Sequence, residues 1–142
     1  MNIELKDFEL AAERLKPMLH HTELDHSATF SAMTGGDIYL KCENRQKTGS
    51  FKIRGASNKI ASLMEKGGLQ GVIACSAGNH AQGVACAARK FGIPATIVMP
   101  KAAPIAKVQA TESFGARVVL AGDCYDDAYK RACEICQEEG AT

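Results

Sequence analysis

The sequence predicts an α/β protein of three layers, with helices on both faces of a small parallel sheet. Short apolar segments alternate with helical segments in the second half of the chain, and this order is typical of parallel strands joined by crossover helices. The apolar segments lack the alternating polar residues of a strand with one solvent-facing side, so we expect both faces of the sheet to be covered. The three predicted strands are Val72–Cys75, Ala95–Met99 and Arg117–Ala121.

Two helices are predicted from apolar periodicity before and after the first of these strands. One covers about residues 55–66 and ends at Gly67, and the other covers residues 79–91 and ends at Gly92. The second is rich in small residues, which would let it lie close to the sheet. The predicted inward positions of the first helix are Ala56, Ile60, Leu63 and Met64. The small residues of the second are Ala81, Gly83, Ala85, Ala87 and Ala88.

Two further helices complete the predicted α/β region. Pro104 suits the first turn of a helix that runs to residue 114, because proline is tolerated where no helical N–H bond is needed. Asp123 is the predicted N-cap of a last helix that ends at Gly140. The apolar residues that we expect to face inward from this last helix are Ala128, Ala132 and Ile135.

The N-terminal region is predicted to form an arm of short elements. A helix has Asp7 as its N-cap and ends before Pro17, and a second helix covers residues 27–33. Short strands are predicted at residues 22–24 and 37–43, the latter from alternating apolar and polar residues. The residues expected to face inward from the arm are Phe8, Ala12, Leu15, Ile38, Leu40 and Cys42.

Composition excludes several classes of function. The 142 residues are 46% hydrophobic and 23% charged, with a net charge of +1, which suits a globular domain with an apolar core. Acidic and basic residues are mixed along the chain, which indicates charged residues on solvent-exposed faces rather than a basic surface that binds nucleic acid. No apolar run is long enough to cross a membrane, and residues 1–7 are too polar for a signal peptide. We therefore expect a cytoplasmic protein.

The cysteines do not predict a metal site. Without a secretion signal we expect them to be reduced and buried. Cys133 and Cys136 have the spacing of half a zinc site or a redox pair, but no second pair completes it, and two cysteines at this spacing simply share a helix face. The six cysteines are Cys42, Cys75, Cys86, Cys124, Cys133 and Cys136.

Lys52 is the first candidate for chemistry. Phe51 and Ile53 flank it with apolar bulk, and Gly49 and Gly55 allow close backbone approach. A lysine partly withdrawn from water favours its neutral amine, which can attack a carbonyl and form a Schiff base. The alternative from composition alone is a surface lysine at the start of a helix.

The turn after the first parallel strand is the second candidate. It leads into a helix N-terminus at the carboxyl end of a strand, where unpaired N–H groups bind anions in open α/β sheets. This argument does not distinguish a carboxylate from a phosphate, and Ser76 or Asn79 could instead only cap the helix. The turn lacks the G-x-G-x-x-G pattern, which argues against a dinucleotide. The turn is Ser76-Ala77-Gly78-Asn79.

Two continuous strings resemble the signatures of the threonine/serine dehydratase family, the fold type II enzymes that use pyridoxal phosphate. They are Ser50-Phe51-Lys52-Ile53-Arg54-Gly55-Ala56 and Ser76-Ala77-Gly78-Asn79-His80-Ala81-Gln82-Gly83. The resemblance implies that Lys52 carries the cofactor as a Schiff base and that Phe51 packs on its ring. It implies that Asn79 reaches the 3-hydroxyl oxygen of the cofactor, with no proton-transfer role for His80. The implied substrate-carboxylate loop comprises Ser76, Ala77, Gly78, Asn79 and His80.

The activity implied by this resemblance is β-elimination from L-threonine to 2-oxobutanoate and ammonia, with L-serine giving pyruvate. It also implies a small-molecule amino-acid substrate, a homo-oligomer and a place in isoleucine biosynthesis. The strings favour the catabolic type of threonine ammonia-lyase, while serine racemases share the lysine motif and remain an alternative. Further matches are Leu40-Lys41-Cys42-Glu43-Asn44, Met99-Pro100-Lys101-Ala102-Ala103-Pro104 and Phe114-Gly115-Ala116.

The resemblance also predicts how the chain is divided. Residues 1–48 would belong to the larger domain of the family fold, and residues 49–142 would form the smaller domain with the Schiff-base lysine. The phosphate-binding glycines of the family have no match here, so we expect a fragment that is inactive alone and binds the cofactor weakly. A catalytically silent α/β module is the alternative. We expect the strand at residues 37–43, without its parent sheet, to be disordered or to pair with a second copy.

Overall fold

The computed structural model describes residues 2–142, which form an N-terminal arm followed by an α/β region. The arm elements are α1 (Leu5–Leu15), β1 (Leu24–His26), α2 (Ala28–Thr34), β2 (Tyr39–Lys41) and a 3₁₀ helix at Glu43–Arg45. The elements of the α/β region are α3 (Lys52–Lys66), β3 (Val72–Cys75), α4 (Asn79–Phe91), β4 (Ala95–Met99), α5 (Ile105–Ser113), β5 (Arg117–Leu120) and α6 (Tyr125–Glu139).

A three-stranded parallel sheet organises the α/β region, with β4 between β3 and β5. Ile97 at the centre of β4 lies opposite Ala74 of β3 and Val118 of β5. On the outer side of β3, the N–H of Ile73 donates to the carbonyl of Thr142 at 2.8 Å, so the last residue also pairs with the sheet. The predicted parallel sheet is therefore confirmed.

Helices cover both faces of this sheet. Ile97 and Met99 pack in a buried cluster with residues of α3 and α4, whereas Val98 faces the other side and packs on α6. Every residue of β4 is buried, which explains why the segment lacks alternation of apolar and polar residues. The predicted three-layer arrangement is confirmed.

Most predicted helix ends in the α/β region agree with the structure, with a few differences at the helix starts. The first of these helices begins at Lys52, three residues before the predicted start at residue 55. Cys124, not Asp123, is the N-cap of α6, and its side chain makes no capping hydrogen bond; the Asp127 carboxylate in the first turn instead accepts the N–H of Asp123, which precedes the helix, at 3.2 Å. Pro104 lies one residue before α5 rather than within it. Met64 of α3 is exposed and not inward as predicted, because it lies one turn beyond the packed stretch that ends at Ile60.

The first arm helix differs from its prediction at the N-terminus and on its apolar face. Glu4 is the N-cap, and its N–H donates to the Asp7 carboxylate at 2.9 Å, so Asp7 is the third helical residue of a capping box. Of the predicted inward residues of α1, Leu15 is buried, whereas Ala12 is exposed and Phe8 is 64% exposed. Only the C-terminal part of α1 therefore packs on the described protein.

The two arm strands pair with each other. β1 and β2 form an antiparallel pair in which Asp25 lies opposite Leu40. The strand expected at residues 37–43 therefore has a partner within the described chain, and its disorder or pairing with a second copy stays a prediction. The strand itself is shorter than predicted, since the 3₁₀ helix begins at Glu43, and the predicted strand at residues 22–24 lies two residues further along.

The cysteines are only partly as predicted. All six, which lie within the described residues, have free thiols, but none is buried as predicted: Cys124 and Cys133 are exposed and the other four are partly buried. The buried face of α6 is formed by Ala128, Ala132 and Ile135, and Cys133 follows Ala132 by one residue, which turns it away from the sheet. Within residues 2–142, no group of three or more His, Cys, Asp and Glu side chains could hold a metal ion. Nor does any helix of this part combine the length and apolar character needed to cross a membrane.

Two ion pairs join the arm to α3. Arg14 of α1 donates twice to Glu65 near the C-terminal end of α3, at 2.7 and 2.6 Å. Arg54 in the first turn of α3 donates twice to Glu43, at 2.8 and 2.7 Å. The Arg54 hydrogen bonds hold the pKa of Glu43 at about 2, although partial burial acts in the opposite direction. The two pairs fix the two ends of α3 to the arm.

The pH dependence of unfolding should report the Glu43–Arg54 pair. Because the folded pKa of Glu43 is below its ordinary value of 4.5, its contribution is present above that pH and is lost as the pH falls towards 2. Glu43→Gln should therefore lower the free energy of unfolding at pH 7 by about 2 kcal/mol, and the loss of stability on acidification should be smaller than in the wild type. Urea unfolding measured from pH 7 to pH 3 checks this.

Glu65→Gln is the matched control, since it removes an Arg–Glu pair of similar geometry whose carboxylate is 54% exposed to solvent. It should cost less stability than Glu43→Gln. Equal stability losses and parallel pH profiles in the two variants would contradict the prediction.

Candidate active site

Lys52 is the first residue of α3, and its side chain is exposed. Of the two interpretations that the residues allowed, the surface lysine at the start of a helix agrees with the structure, and the lysine partly withdrawn from water by Phe51 and Ile53 does not. Successive residues at a helix start point in different directions, so Ile53 enters the core at 1% exposure while Phe51 stays 58% exposed. Lys52 therefore presents an accessible amine.

A cavity of about 290 Å³ brings Lys52, Phe51 and His80 together. The amine of Lys52 lies 5.2 Å from the centre of the Phe51 ring, within the range of a cation–π contact. His80 comes from the first turn of α4, so the cavity lies where the starts of two helices meet. The remaining residues that line it are Arg54, Gly55 and Ala56.

The predicted anion-binding turn joins β3 to α4. Gly78 is the N-cap of α4, and its N–H donates to the Ser76 hydroxyl at 3.3 Å. No side chain caps this helix, so the N–H groups of its first turn keep the partial positive charge that attracts anions. Ser76, Ala77 and Asn79 lie in this turn as predicted, but with Gly78 they do not line the described cavity that contains Lys52.

The imidazole of His80 is held in its neutral form. Partial desolvation lowers its pKa below the ordinary value of 6.5, and the positive charge of Lys52 lowers it further. A neutral ring next to Lys52 adds no second charge to the cavity. It also adds a group that can donate or accept a hydrogen bond there.

Gly83 allows α4 to approach α3 at Lys52. A methyl group at this position would lie 3.1 Å from the Lys52 carbonyl carbon and 3.1 Å from the Ile53 nitrogen. The two helices are therefore in near backbone contact, which a larger residue would prevent. The sequence predicted that Gly83 would let α4 lie close to the sheet, whereas it is the contact with α3 that requires the glycine.

Comparison with known proteins identifies the family. The sequence profile described as "Pyridoxal-phosphate dependent enzyme" matches residues 15–142. The chain belongs to this family. It is 56% identical over 139 residues to the L-threonine ammonia-lyase of Thermotoga maritima, covering 98% of this chain and 35% of that protein. It is 48% identical over 141 residues to the L-threonine dehydratase catabolic TdcB of Staphylococcus aureus, covering 99% of this chain and 41% of that protein.

Solved structures of the same fold include two different named activities. Maize serine racemase superposes with a TM-score of 0.91 at 36% identity, covering all of this chain and 43% of that one. The T.th. threonine deaminase superposes with a TM-score of 0.86 at 38% identity, covering 98% of this chain and 44% of that one. The chain thus spans less than half the length of these relatives.

The residues of the cavity fit pyridoxal phosphate. Lys52 supplies an exposed primary amine, the group that reacts with the aldehyde of this cofactor. Phe51 offers an exposed aromatic ring beside that amine, and the N-terminus of α4 offers positive potential to an anionic group. The aldehyde of the cofactor can react with the Lys52 amine and its flat ring can pack on Phe51. The N-terminus of α4, whose turn adjoins the cavity, can bind an anionic group.

Sequence reasoning missed Glu43, Arg54 and Gly83 as residues that shape the site. Glu43 is eleven residues before Arg54, and no periodicity connects a residue after a strand with a residue in a later helix. Gly83 was recognised only as one of several small residues on α4. All three residues lie in strings that resemble the family, so the sequence did mark each of them. It did not indicate which other residues they contact.

Larger residues at position 83 should destabilise the chain. Gly83→Val should lower the free energy of unfolding by about 1–3 kcal/mol, because the new side chain overlaps the Lys52 backbone. Gly83→Ala should cost less, because alanine is the better helix former by about 1 kcal/mol. Gly36→Ala is the control, since nothing lies within 4 Å of the added methyl. The free energies of unfolding are measured by urea denaturation. Equal values for Gly83→Val and the wild type would contradict a close contact between α3 and α4 at this position.

Removing the charge of Lys52 should raise the pKa of His80. Lys52→Gln removes one of the two causes that lower the His80 pKa, so the NMR titration of that ring should move towards 6.5 without reaching it. Lys59→Gln is the control, because Lys59 lies on the same helix and does not contribute to the lowered pKa. If both variants titrate like the wild type, Lys52 and His80 are not neighbours.

Proposed function

We propose that this chain is the lysine-bearing part of an enzyme that converts L-threonine to 2-oxobutanoate and ammonia, and L-serine to pyruvate and ammonia. The observation that carries the proposal is the meeting of Lys52 with the start of α4 in one cavity. The 56% identity to a protein named L-threonine ammonia-lyase supports the choice of substrate.

Lys52 has two roles in this reaction. Its amine would hold pyridoxal phosphate, and the same Nζ, as a free amine, would accept the proton from the α-carbon of the substrate. When bound, the cofactor supplies an electron sink for the electron pair left at that carbon. The β-hydroxyl leaves with a proton as water, and the released 2-aminocrotonate hydrolyses to 2-oxobutanoate and ammonia.

The turn after β3 is the proposed site of the substrate carboxylate. The uncapped N-terminus of α4 provides N–H donors and positive potential, which suit a carboxylate in a reaction that must hold one face of the α-carbon towards the base. Asn79 is proposed to reach the 3-hydroxyl oxygen of the cofactor, and Phe51 to pack on its ring. The loop residues proposed to bind the carboxylate are Ser76, Ala77, Gly78, Asn79 and His80.

Catalysis is proposed to need a protein longer than this chain. The chain covers 35% and 41% of the two named relatives, and the family resemblance predicts the phosphate-binding glycines in the remainder. Phosphate contacts are charge-assisted and contribute much to affinity. We therefore propose that residues 49–142 form the smaller domain, that residues 1–48 belong to the larger one, and that this chain alone binds the cofactor weakly.

Other features of the whole enzyme follow from the resemblance. We propose a homo-oligomer in the cytoplasm. A role in isoleucine biosynthesis has weaker support than threonine breakdown, because the Staphylococcus aureus relatives are named as catabolic enzymes. Serine racemisation is the second candidate activity, since the backbone of maize serine racemase superposes on that of this chain with a TM-score of 0.91. A catalytically silent module is the third.

A chimera tests the proposed function directly. This chain should replace the 139-residue segment that it matches in the Thermotoga maritima relative, which supplies the remaining part of the fold. The chimera should release 2-oxobutanoate from L-threonine, and Lys52→Ala should abolish that activity while the Lys59→Ala control retains it. The chain alone should release no product above the uncatalysed rate. Chromatography of the products separates 2-oxobutanoate and pyruvate from D-serine.

The outcomes distinguish the candidates. D-serine as the main product from L-serine would favour the racemase, and an active Lys52→Ala chimera would refute the role of Lys52. An inactive but folded and cofactor-loaded chimera would favour the silent module. Turnover of L-threonine by the chain alone would refute the dependence on the remaining part of the fold.

A further inference from the structure

The Glu43 carboxylate is a meeting point of three elements. It accepts two hydrogen bonds from Arg54 in the first turn of α3, through both carboxylate oxygens at 2.7 and 2.8 Å. The hydroxyl of Thr22, which precedes β1, donates to the same carboxylate at 2.6 Å. Arm residues on both sides of the β1–β2 pair are thus tied through one carboxylate to the start of α3.

This pair differs from the other ion pair between the arm and α3 in its burial. The side chain of Glu43 is 13% exposed and that of Glu65 is 54% exposed, while both arginines are partly exposed, Arg54 at 36% and Arg14 at 27%. The difference between the pairs therefore lies in the burial of the carboxylate, and Glu43 alone of the two carboxylates also accepts a hydrogen bond from Thr22. Buried charge pairs tolerate little displacement, because each partner loses its compensation when the other moves, whereas exposed pairs exchange readily with water. The Glu43–Arg54 pair is therefore the stiffer of the two connections.

The ion pair of Arg54 restrains the turn that also contains Lys52. The two residues share the first turn of α3, where the N–H of Arg54 donates to the carbonyl of Phe51 at 2.9 Å. The Lys52 amine lies over the ring of Phe51, its neighbour in the chain. The backbone of this turn therefore sets where the Lys52 side chain begins and where the Phe51 ring beside its amine lies, and so limits the region in which the amine can lie.

We propose that Glu43 and Arg54 are positioning residues that hold Lys52 in place for cofactor attachment. The pair bridges the proposed boundary between residues 1–48 and 49–142, so it couples the arm to the reactive lysine. This role rests on the proposed function of Lys52. The Arg14–Glu65 pair, at the other end of the same helix, has no such role.

The test compares Glu43→Gln and Glu65→Gln in this chain, with Glu43→Asp as the conservative variant. Hydrogen exchange in peptides that cover residues 51–57 should be about tenfold faster in Glu43→Gln than in the wild type, and unchanged in Glu65→Gln. Glu43→Asp should lie between them, since it keeps the charge but shortens the side chain. Exchange in α4 and α6 is the control for global unfolding.

A second readout separates positioning from stability alone. The chain is incubated with pyridoxal phosphate and reduced with borohydride, and the ratio of label on Lys52 to label on Lys59 of the same helix is measured by peptide mass spectrometry. The ratio should fall in Glu43→Gln and stay at the wild-type value in Glu65→Gln. A purely stabilising pair would leave this ratio unchanged under conditions where both variants are folded.

Two results overturn the positioning role. One is equal exchange of residues 51–57 in the two glutamine variants, and the other is a labelling ratio that Glu43→Gln does not change from a wild-type preference for Lys52. A wild-type chain without that preference would instead count against Lys52 as the cofactor lysine of the isolated chain. In that case the exchange comparison decides the role of the pair by itself.

Discussion

The near backbone contact between α3 and α4 at Gly83 is the constraint on which the candidate site depends. It sets the distance between the first turn of α3, which carries Lys52, and the turn that enters α4 from the sheet. Neither helix could shift along the other without changing the position of the Lys52 amine relative to the uncapped N-terminus of α4. The candidate site needs a fixed distance between its nucleophile, Lys52, and its anion-binding turn. The packing of α3 on α4 sets this distance, and the sheet beneath the two helices gives rigid support.

Electrostatics adds a second constraint on the same turn. Lys52 and Arg54 are two cations within three residues, next to a helix N-terminus that is itself positive. Like charges at this spacing would repel, and Glu43 offsets one of them by accepting two hydrogen bonds from Arg54. The low pKa of Glu43 means that this compensation persists at every pH at which the lysine chemistry could operate. The remaining positive potential is then available to an anion, which in the proposed function is the carboxylate of the substrate.

How well the sequence predicted the protein depends on the distance over which each feature is determined. The strands at Val72–Cys75 and Ala95–Met99 and the helix at residues 79–91 agree with the structure, because local periodicity, glycine and proline determine them. Composition favoured a surface lysine at a helix start for Lys52, which agrees with the structure, whereas its partial burial by Phe51 and Ile53 does not, since neighbours in sequence diverge around a helix. The contacts of Glu43 with Arg54 and of Gly83 with Lys52 could not be predicted, because they join segments whose relative position only the tertiary fold determines.

The choice between elimination and racemisation cannot lie in the backbone described here. Maize serine racemase and the T.th. threonine deaminase superpose on this chain almost equally well, at 36% and 38% identity. Two structures with different named activities share this backbone. In the proposed function, the backbone therefore positions what the two reactions have in common, which is a lysine near the α-carbon and a bound substrate carboxylate. What separates them is the fate of the α-carbon after its proton has been removed: loss of the β-substituent or return of a proton to the other face. Under the proposed function, that choice falls to the side chains around the substrate, because a common backbone cannot favour one outcome over the other.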